Sequence, residues 1–291
     1  MAAIRNKFFL FVLLGAAAAL GASARAEEAF DFSGVETVVF QDVIATVDIN
    51  IRPRGKVDIA KTDGAEASYP ISIEVENSVL TISGEESPHK MKWRRKVRWR
   101  KYHKDAFEVF LEDYPKLALN VPKGVDLSFD GAVVMVDAGD TEGALYVGGG
   151  HVDGRIGDVD AADVNIHGAG DLKVGDVAGA LNISIHGSGD FAAGRAGAVT
   201  ADIHGSGDIS FGEAAGDVIA RIHGSGDMDF KTVNGSAMLD SYGSGDIEAG
   251  DVAGEVDINI MGSSDISLAK VGGGARITLK GSGDVDLARI A

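Results

Sequence analysis

The sequence predicts an all-β fold, a parallel β-helix solenoid of about 19-residue rungs. Three observations predict it. First, IHGSGD occurs at 185–190, 203–208 and 222–227, with relatives IHGAGD at 166–171, SYGSGD at 241–246, IMGSSD at 260–265 and LKGSGD at 279–284. Second, successive copies are spaced by 19, 18, 19, 19, 19 and 19 residues, a regularity expected when each unit stacks on the next to bury its apolar face. Third, short runs between the copies alternate apolar and polar residues, and no part of the repeat has a helical period or a helix's length.

One unit, 241–259, shows the pattern. Gly243-Ser244-Gly245-Asp246 reads as a turn, with glycine expected at positive φ and aspartate bonding back to its local backbone. Ile247 and Ala249 then form a short strand, and Gly250-Asp251 and Ala253-Gly254 mark two more bends. Val256, Ile258 and Ile260 alternate with Asp257 and Asn259 as a second strand. Stacking such units predicts inward columns. Ile166, Ile185, Ile203 and Ile222 make one; Val164, Ile183, Ala201, Ala220, Leu239, Ile258 and Ile277 make another. The lack of a strict hexapeptide period favours a right-handed helix. Weaker copies at 147–152 (VGGGHV) and 129–134 (FDGAVV) place early rungs ahead of the clear repeats, so 126–291 is read as the β-helix region.

Residues 1–26 read as a signal peptide: Arg5 and Lys7, an apolar run from Phe8 to Leu20, then Ala24-Arg25-Ala26 as the cleavage site. The run is short for a membrane span, and no second one follows, so no transmembrane span is expected after cleavage. The chain has no cysteine, which excludes disulfides and thiolate chemistry. These features predict an exported protein: periplasmic, outer-membrane-associated or secreted. Removing Arg5, Lys7 and Arg25 takes the formal charge from −17 to −20. So acidic a chain repels nucleic acid, which is not expected as a partner.

Region 27–125 shows β alternation at Val35–Ile51, at Val57–Ile59 and at Ile71–Ile82, with a turn at Glu76-Asn77-Ser78. Phe107–Val121 is read as alternating again. The region is expected to form β-hairpins and early rungs that cap one end of the solenoid. The other end runs directly from a repeat to Ala291, and self-association is expected at that rung.

A basic insertion, 88–104, interrupts this region. It carries Lys90, Lys92, Arg94, Arg95, Lys96, Arg98, Arg100, Lys101 and Lys104, no acid, and both tryptophans, Trp93 and Trp99. Without these nine cations the rest of the mature chain is −29. The segment reads as an anion-binding protrusion, in which Lys and Arg meet phosphates or carboxylates and Trp anchors at a lipid or sugar face. The candidate partners are anionic envelope lipid, lipopolysaccharide or polysaccharide. The competing reading is a solvated loop that pairs with the protein's own acidic surface.

Three polar groupings are candidates for chemistry. His167, His186, His204 and His223 share one repeat position, close enough on paper for two imidazoles to share a metal. Asp171, Asp190, Asp208, Asp227, Asp246, Asp265 and Asp284 share another, which could attract calcium, although the nonapeptide of calcium β-rolls is missing. Asp202, Arg221 and Asp240 line up two positions before the His column, a conceivable acid–base cluster. No nucleophile motif or phosphate loop occurs, and no cofactor is expected.

FDFSGVETVVFQDVIATVDINI, ISIEVENSVLTISGE, VPKGVDLSFDGA and the GSGD rungs together resemble the GIN-domain "putative auto-transporter adhesin head" family, over about residues 30–291. The resemblance implies an exported bacterial β-helix domain of unknown function, with adhesion or envelope binding suggested and no catalytic residues to carry over. The chain departs from many members by lacking a lipoprotein cysteine and by its basic insertion. The expected function is thus a non-catalytic, adhesin-like binding module of the bacterial cell envelope. The alternatives are a carbohydrate-active β-helix enzyme acting on acidic polysaccharide, and a cation-binding solenoid.

Overall fold

The computed structural model describes residues 29–62, 69–84 and 106–290. The signal segment 1–26 and the basic segment 88–104 lie outside the described residues. The fold is all-β, a solenoid of about eight turns. Its walls are a 12-stranded and a 13-stranded sheet.

In chain order the N-terminal strands are β1 (Ala29–Phe32), β2 (Thr37–Gln41), β3 (Ile44–Arg52), β4 (Val57–Thr62), β5 (Ile71–Glu76) and β6 (Val79–Gly84). A helix, α1 (Ala106–Leu111), precedes β7 (Lys116–Pro122), β8 (Asp126–Asp130) and β9 (Val133–Ala138). The 12-stranded sheet continues through β10 (Leu145–Gly148), β12 (Ala162–Ile166), β14 (Leu181–Ile185), β16 (Val199–Ile203), β18 (Val218–Ile222), β20 (Ala237–Ser241), β22 (Val256–Ile260) and β24 (Ala275–Leu279). Between them, β11 (His151–Ile156), β13 (Leu172–Val174), β15 (Phe191–Ala192), β17 (Ile209–Ala214), β19 (Met228–Val233), β21 (Ile247–Val252), β23 (Ile266–Val271) and β25 (Val285–Leu287) extend the 13-stranded sheet.

Each rung gives one strand to each sheet, and successive strands pair in parallel. The register aligns Val164, Ile183, Ala201, Ala220, Leu239, Ile258 and Ile277, the column expected from the period. The Ile166 column continues through Ser241, Ile260 and Leu279. Aromatic pairs fill wider layers: Phe40 stacks on Phe129 at 5.0 Å and Phe211 on Phe230 at 4.8 Å. One apolar cluster runs the length of the solenoid, each fully buried large side chain contributing about 1.5–3 kcal/mol.

The N-terminal rungs belong to the same sheets. Strand β2 pairs in parallel with β8, and β3 with β9, so both walls cross residues 125–126 without a break. Antiparallel pairs β5–β6 and β1–β4–β7 then close the two walls at this end. The β5–β6 turn is Asn77-Ser78, both at positive φ (53° and 64°), as a two-residue hairpin turn requires.

Two expectations are corrected. Residues 106–111 form a helix rather than the start of a strand. Phe107, Phe110, Leu111 and Tyr114 follow a helical spacing, and the last three pack with Ile44 and Val133 in a separate apolar cluster outside the 13-stranded sheet. Second, positive φ is not what the GSGD turns need. Gly187, Gly205, Gly224, Gly243, Gly262 and Gly281 lie outside the left-handed region. A Cβ at any of them would fall far inside van der Waals contact with the carbonyl oxygen of the corresponding glycine one rung earlier. Glycine is required there because two backbones meet, the second of the uses that glycine serves.

Candidate functional site

The period places like residues in register, so the solenoid's surface is a set of side-chain columns. Three stand on the outer face of the 12-stranded sheet. The outermost begins at His167, the last residue before each GSGD turn. His167, His186, His204 and His223 stack ring on ring at 4.9, 4.7 and 4.7 Å, and Tyr242 continues the stack 4.7 Å from His223. The planes lie within 4–16° of parallel. Met261 and Lys280 hold the same position in the next two rungs. Backbone hydrogen bonds fix the column: the N–H of His186, His204 and His223 each donates to an isoleucine carbonyl one rung below, at 2.7 Å.

All four histidines are exposed. The Ser184 hydroxyl lies 3.3 Å from Nδ1 of His186. Burial between its neighbours holds the His186 pKa below the ordinary histidine value, and the charges His204 and His167 can carry push the same way. Stacked planes keep the in-plane lone pairs of neighbouring rings parallel, so they do not converge on one ion. Among the described residues no group of three or more His, Asp or Glu is arranged to hold a metal.

The next column inward on this face is Asn165, Ser184, Asp202, Arg221, Asp240, Asn259 and Thr278. The Arg221 guanidinium lies between two carboxylates, 3.5 Å from Asp202 and 3.6 Å from Asp240. Both acids of the conceivable catalytic cluster therefore share one cation. Ile219 and Met238 flank this stripe on the far side, Met238 well exposed.

The aspartate column has a structural partner in every rung. The carboxylate of Asp153 accepts the backbone N–H of Asp171 at 2.6 Å, and that of Asp171 accepts the N–H of Asp190 at 3.1 Å. The chain continues through Asp208, Asp227, Asp246, Asp265 and Asp284 at 2.7–2.9 Å. The bond runs between rungs, where a local turn bond was expected. A local sequence window cannot reveal it. Burial pushes the Asp171 pKa up, and the neighbouring carboxylates Asp153 and Asp190 add to that, against the N–H that Asp190 donates.

A second ladder of this kind lies at another corner. Asp140, Asp158 and Asp176 each accept an N–H from the next rung, the last from Arg195 at 2.8 Å. The Arg195 guanidinium also binds the Asp176 carboxylate at 2.6 Å and holds its pKa below the usual carboxylate range. Asp158, Asp176 and Arg195, with Glu142 and Glu213, line a shallow groove of about 520 Å³. Arg155 grips Asp137 through two 2.9 Å bonds on the opposite sheet, also lowering that carboxylate's pKa. Arg155 and Arg195 were not singled out from the sequence, although stepping one period back from each finds its aspartate.

The predicted anion-binding residues Lys90, Lys92, Trp93, Arg94, Arg95, Lys96, Arg98, Trp99, Arg100 and Lys101 lie outside the described residues. Their attachment points do not. The segment leaves from Gly84 at the end of β6 and returns at Ala106, the first residue of α1. Among the described residues no helix is long and apolar enough to cross a membrane.

Solved structures similar to this chain include an adhesin, described as putative, from Parabacteroides distasonis, with 17% identity, TM-score 0.48, covering 91% of this chain and 96% of that one. Another from Parabacteroides merdae has 14% identity, TM-score 0.45 and coverage of 91% and 95%. A third, from Bacteroides fragilis, has 13% identity, TM-score 0.38 and coverage of 91% and 96%. No curated protein matches the chain. The family described as "Putative auto-transporter adhesin, head GIN domain" matches residues 31–232 and 195–289, nearly all of the solenoid. The chain belongs to that family.

Proposed function

We propose that this protein is a non-catalytic adhesive module, exported to the bacterial cell envelope, that contacts anionic lipid, lipopolysaccharide or polysaccharide through its basic, tryptophan-bearing segment. Membership of an adhesin family supports the adhesive and exported parts of the reading. One geometric observation carries the rest: the described elements on either side of the basic segment, β6 and α1, are both held against the body of the solenoid. On one side β6 is paired to both β2 and β5. On the other, α1 is held by Phe110, Leu111 and Tyr114 against Ile44 and Val133. Tyr114 also donates its hydroxyl to Tyr69 at 3.2 Å, and burial raises its pKa far above the ordinary value. Nine cations on so rigid a mount, against a chain otherwise strongly acidic, favour recognition of an external anion.

The solenoid serves as the mount and spacer. A second contact belongs to the same reading: Ile277 and Leu279 stand in core columns yet are 46% and 47% exposed, which supports self-association there.

The test is co-sedimentation with anionic phospholipid vesicles and with lipopolysaccharide, at low and high salt. A variant with Arg94, Arg95, Lys96, Arg98 and Arg100 changed to glutamine runs alongside. Salt-sensitive binding by the wild type that the variant loses is the expected result. Equal binding, or equal failure to bind, by the two proteins overturns the role of the segment.

A further inference from the structure

We propose that the His167–His186–His204–His223 column is a second binding site, for a carboxylated polysaccharide, that operates in mildly acidic conditions. It lies on the outer face of the 12-stranded sheet and is distinct from the basic segment.

The stacking makes the site one-dimensional. Each ring covers its neighbours' faces, so what the column offers to a ligand is a row of imidazole edges. Those edges repeat every 4.7–4.9 Å, the rung spacing, which is close to the length of one sugar residue in an extended polysaccharide. The exposed hydroxyl-bearing residues Ser188, Ser206 and Ser225 repeat beside it, two residues on from each of the last three histidines. A carboxylated chain lying along the column meets an imidazole edge in every rung from His167 to His223 and a hydroxyl in the last three. Imidazolium-to-carboxylate bonds are charge-assisted and among the strong ones.

The surroundings make the site conditional. The charged groups beside the column are Asp202, Arg221 and Asp240 in the adjacent outer column, with Arg221 shared between the two acids. Asp190, Asp208 and Asp227 stand past each GSG turn, and Tyr242 and Lys280 hold the column's own later positions. When the imidazoles are uncharged, these acids and the chain's net charge oppose an anion. Protonation places up to four cations in line. Without a ligand they repel one another, in keeping with the lowered pKa of His186. A carboxylate seated between two edges removes that repulsion, so binding and proton uptake are linked.

The probe is polygalacturonate, titrated calorimetrically at about pH 5 and about pH 7.5, in two buffers of different ionisation heat at each pH. Two variants accompany the wild type. In one, His186 and His204 are changed to glutamine, and its melting temperature is taken to confirm the fold. In the other, the five arginine and lysine changes of the basic segment are combined with His89→Gln and His103→Gln. Affinity in the wild type should rise about tenfold or more on acidification, with net proton uptake. The basic-segment variant should keep that rise and the folded ladder variant should lose it. A rise that survives in the ladder variant, or vanishes in the basic-segment variant, overturns the proposal. So does an equal rise with the methyl-esterified, uncharged polymer. Because the basic-segment variant isolates the column, failure here and failure of the envelope-binding segment read out separately.

Discussion

Ser241 and Ser264, one rung apart, share a buried hydroxyl–hydroxyl hydrogen bond. Ser264 reaches the Gly243 carbonyl at 3.3 Å, which leaves Ser241 as the donor to Ser264. In other rungs these two positions hold isoleucine (leucine at Leu279) and glycine, and a Cβ on Gly245 would lie 1.9 Å from the Gly226 carbonyl oxygen and 3.2 Å from the Ile222 side chain. Here serine over serine replaces glycine over isoleucine, exchanging two coordinated residues so that a polar pair is satisfied in the core. Ser264→Gly should cost about 1–3 kcal/mol by leaving the Ser241 hydroxyl buried and unpaired. Ser241→Ile alone should crowd Ser264 and cost a similar amount. The double variant should recover most of the loss, and a double-mutant cycle in urea measures the coupling.

Gly224→Ala drives a methyl into the Gly205 carbonyl in the rung before it. The strands on both sides must part, and the expected loss is about 3 kcal/mol or more. At Gly274 a Cβ meets open space, so Gly274→Ala should change stability by no more than about 0.5 kcal/mol. Thermal melts of the two single variants make the comparison.

Asp208 accepts the N–H of Asp227 at 2.8 Å and donates its own N–H to Asp190 at 2.9 Å. Asp208→Ala removes the acceptor but not the donor, for an expected loss of about 1 kcal/mol. Asp208→Asn retains an acceptor oxygen, lessens the charge in the column, and should lose less. Added salt should stabilise the wild type more than the asparagine variant, by screening the stacked carboxylates.

The His186 pKa is lowered in the folded state, first by burial and then by His204 and His167. A depressed pKa means that folding disfavours the protonated form. Its contribution to stability is therefore present above the ordinary value of 6.5 and is lost as pH falls through the folded-state pKa. Asp171 acts in the opposite sense, because its raised pKa makes the folded state gain relative to the unfolded as that carboxylate protonates at lower pH. Melting temperature should fall on acidification from about pH 7 to about pH 5, and His186→Gln should flatten part of that fall.

The solenoid was legible because its signal is long-range and exact in spacing: a column such as Val164 to Ile277 needs only the period and the alternation. The helix α1 was harder. Its six residues follow a run of alternating character, and the spacing of Phe107, Phe110, Leu111 and Tyr114 that betrays it spans barely two turns. The roles of glycine and aspartate in GSGD were misassigned for a different reason. Their partners sit about nineteen residues away, so a turn-based reading supplied a local explanation where the contact is between rungs. Of the candidate sites, the His column's place was readable. So was its stacking on successive rungs, but its extension through Tyr242 came only from the register.

Several rungs in this chain are shorter than the others, and the rung through Ala196 shows where the difference falls. Ala196 aligns with Ala214, eighteen residues on, while Val199 aligns with Val218, nineteen on. The missing residue is absorbed wholly at a corner, and neither wall slips. The coil therefore behaves like a stack of interchangeable washers. Cutting out one full period, such as residues 224–242, should shorten the molecule by about 4.8 Å and leave both walls in register. The distance between its two ends is in that sense a quantity that gene duplication or deletion can set in equal steps.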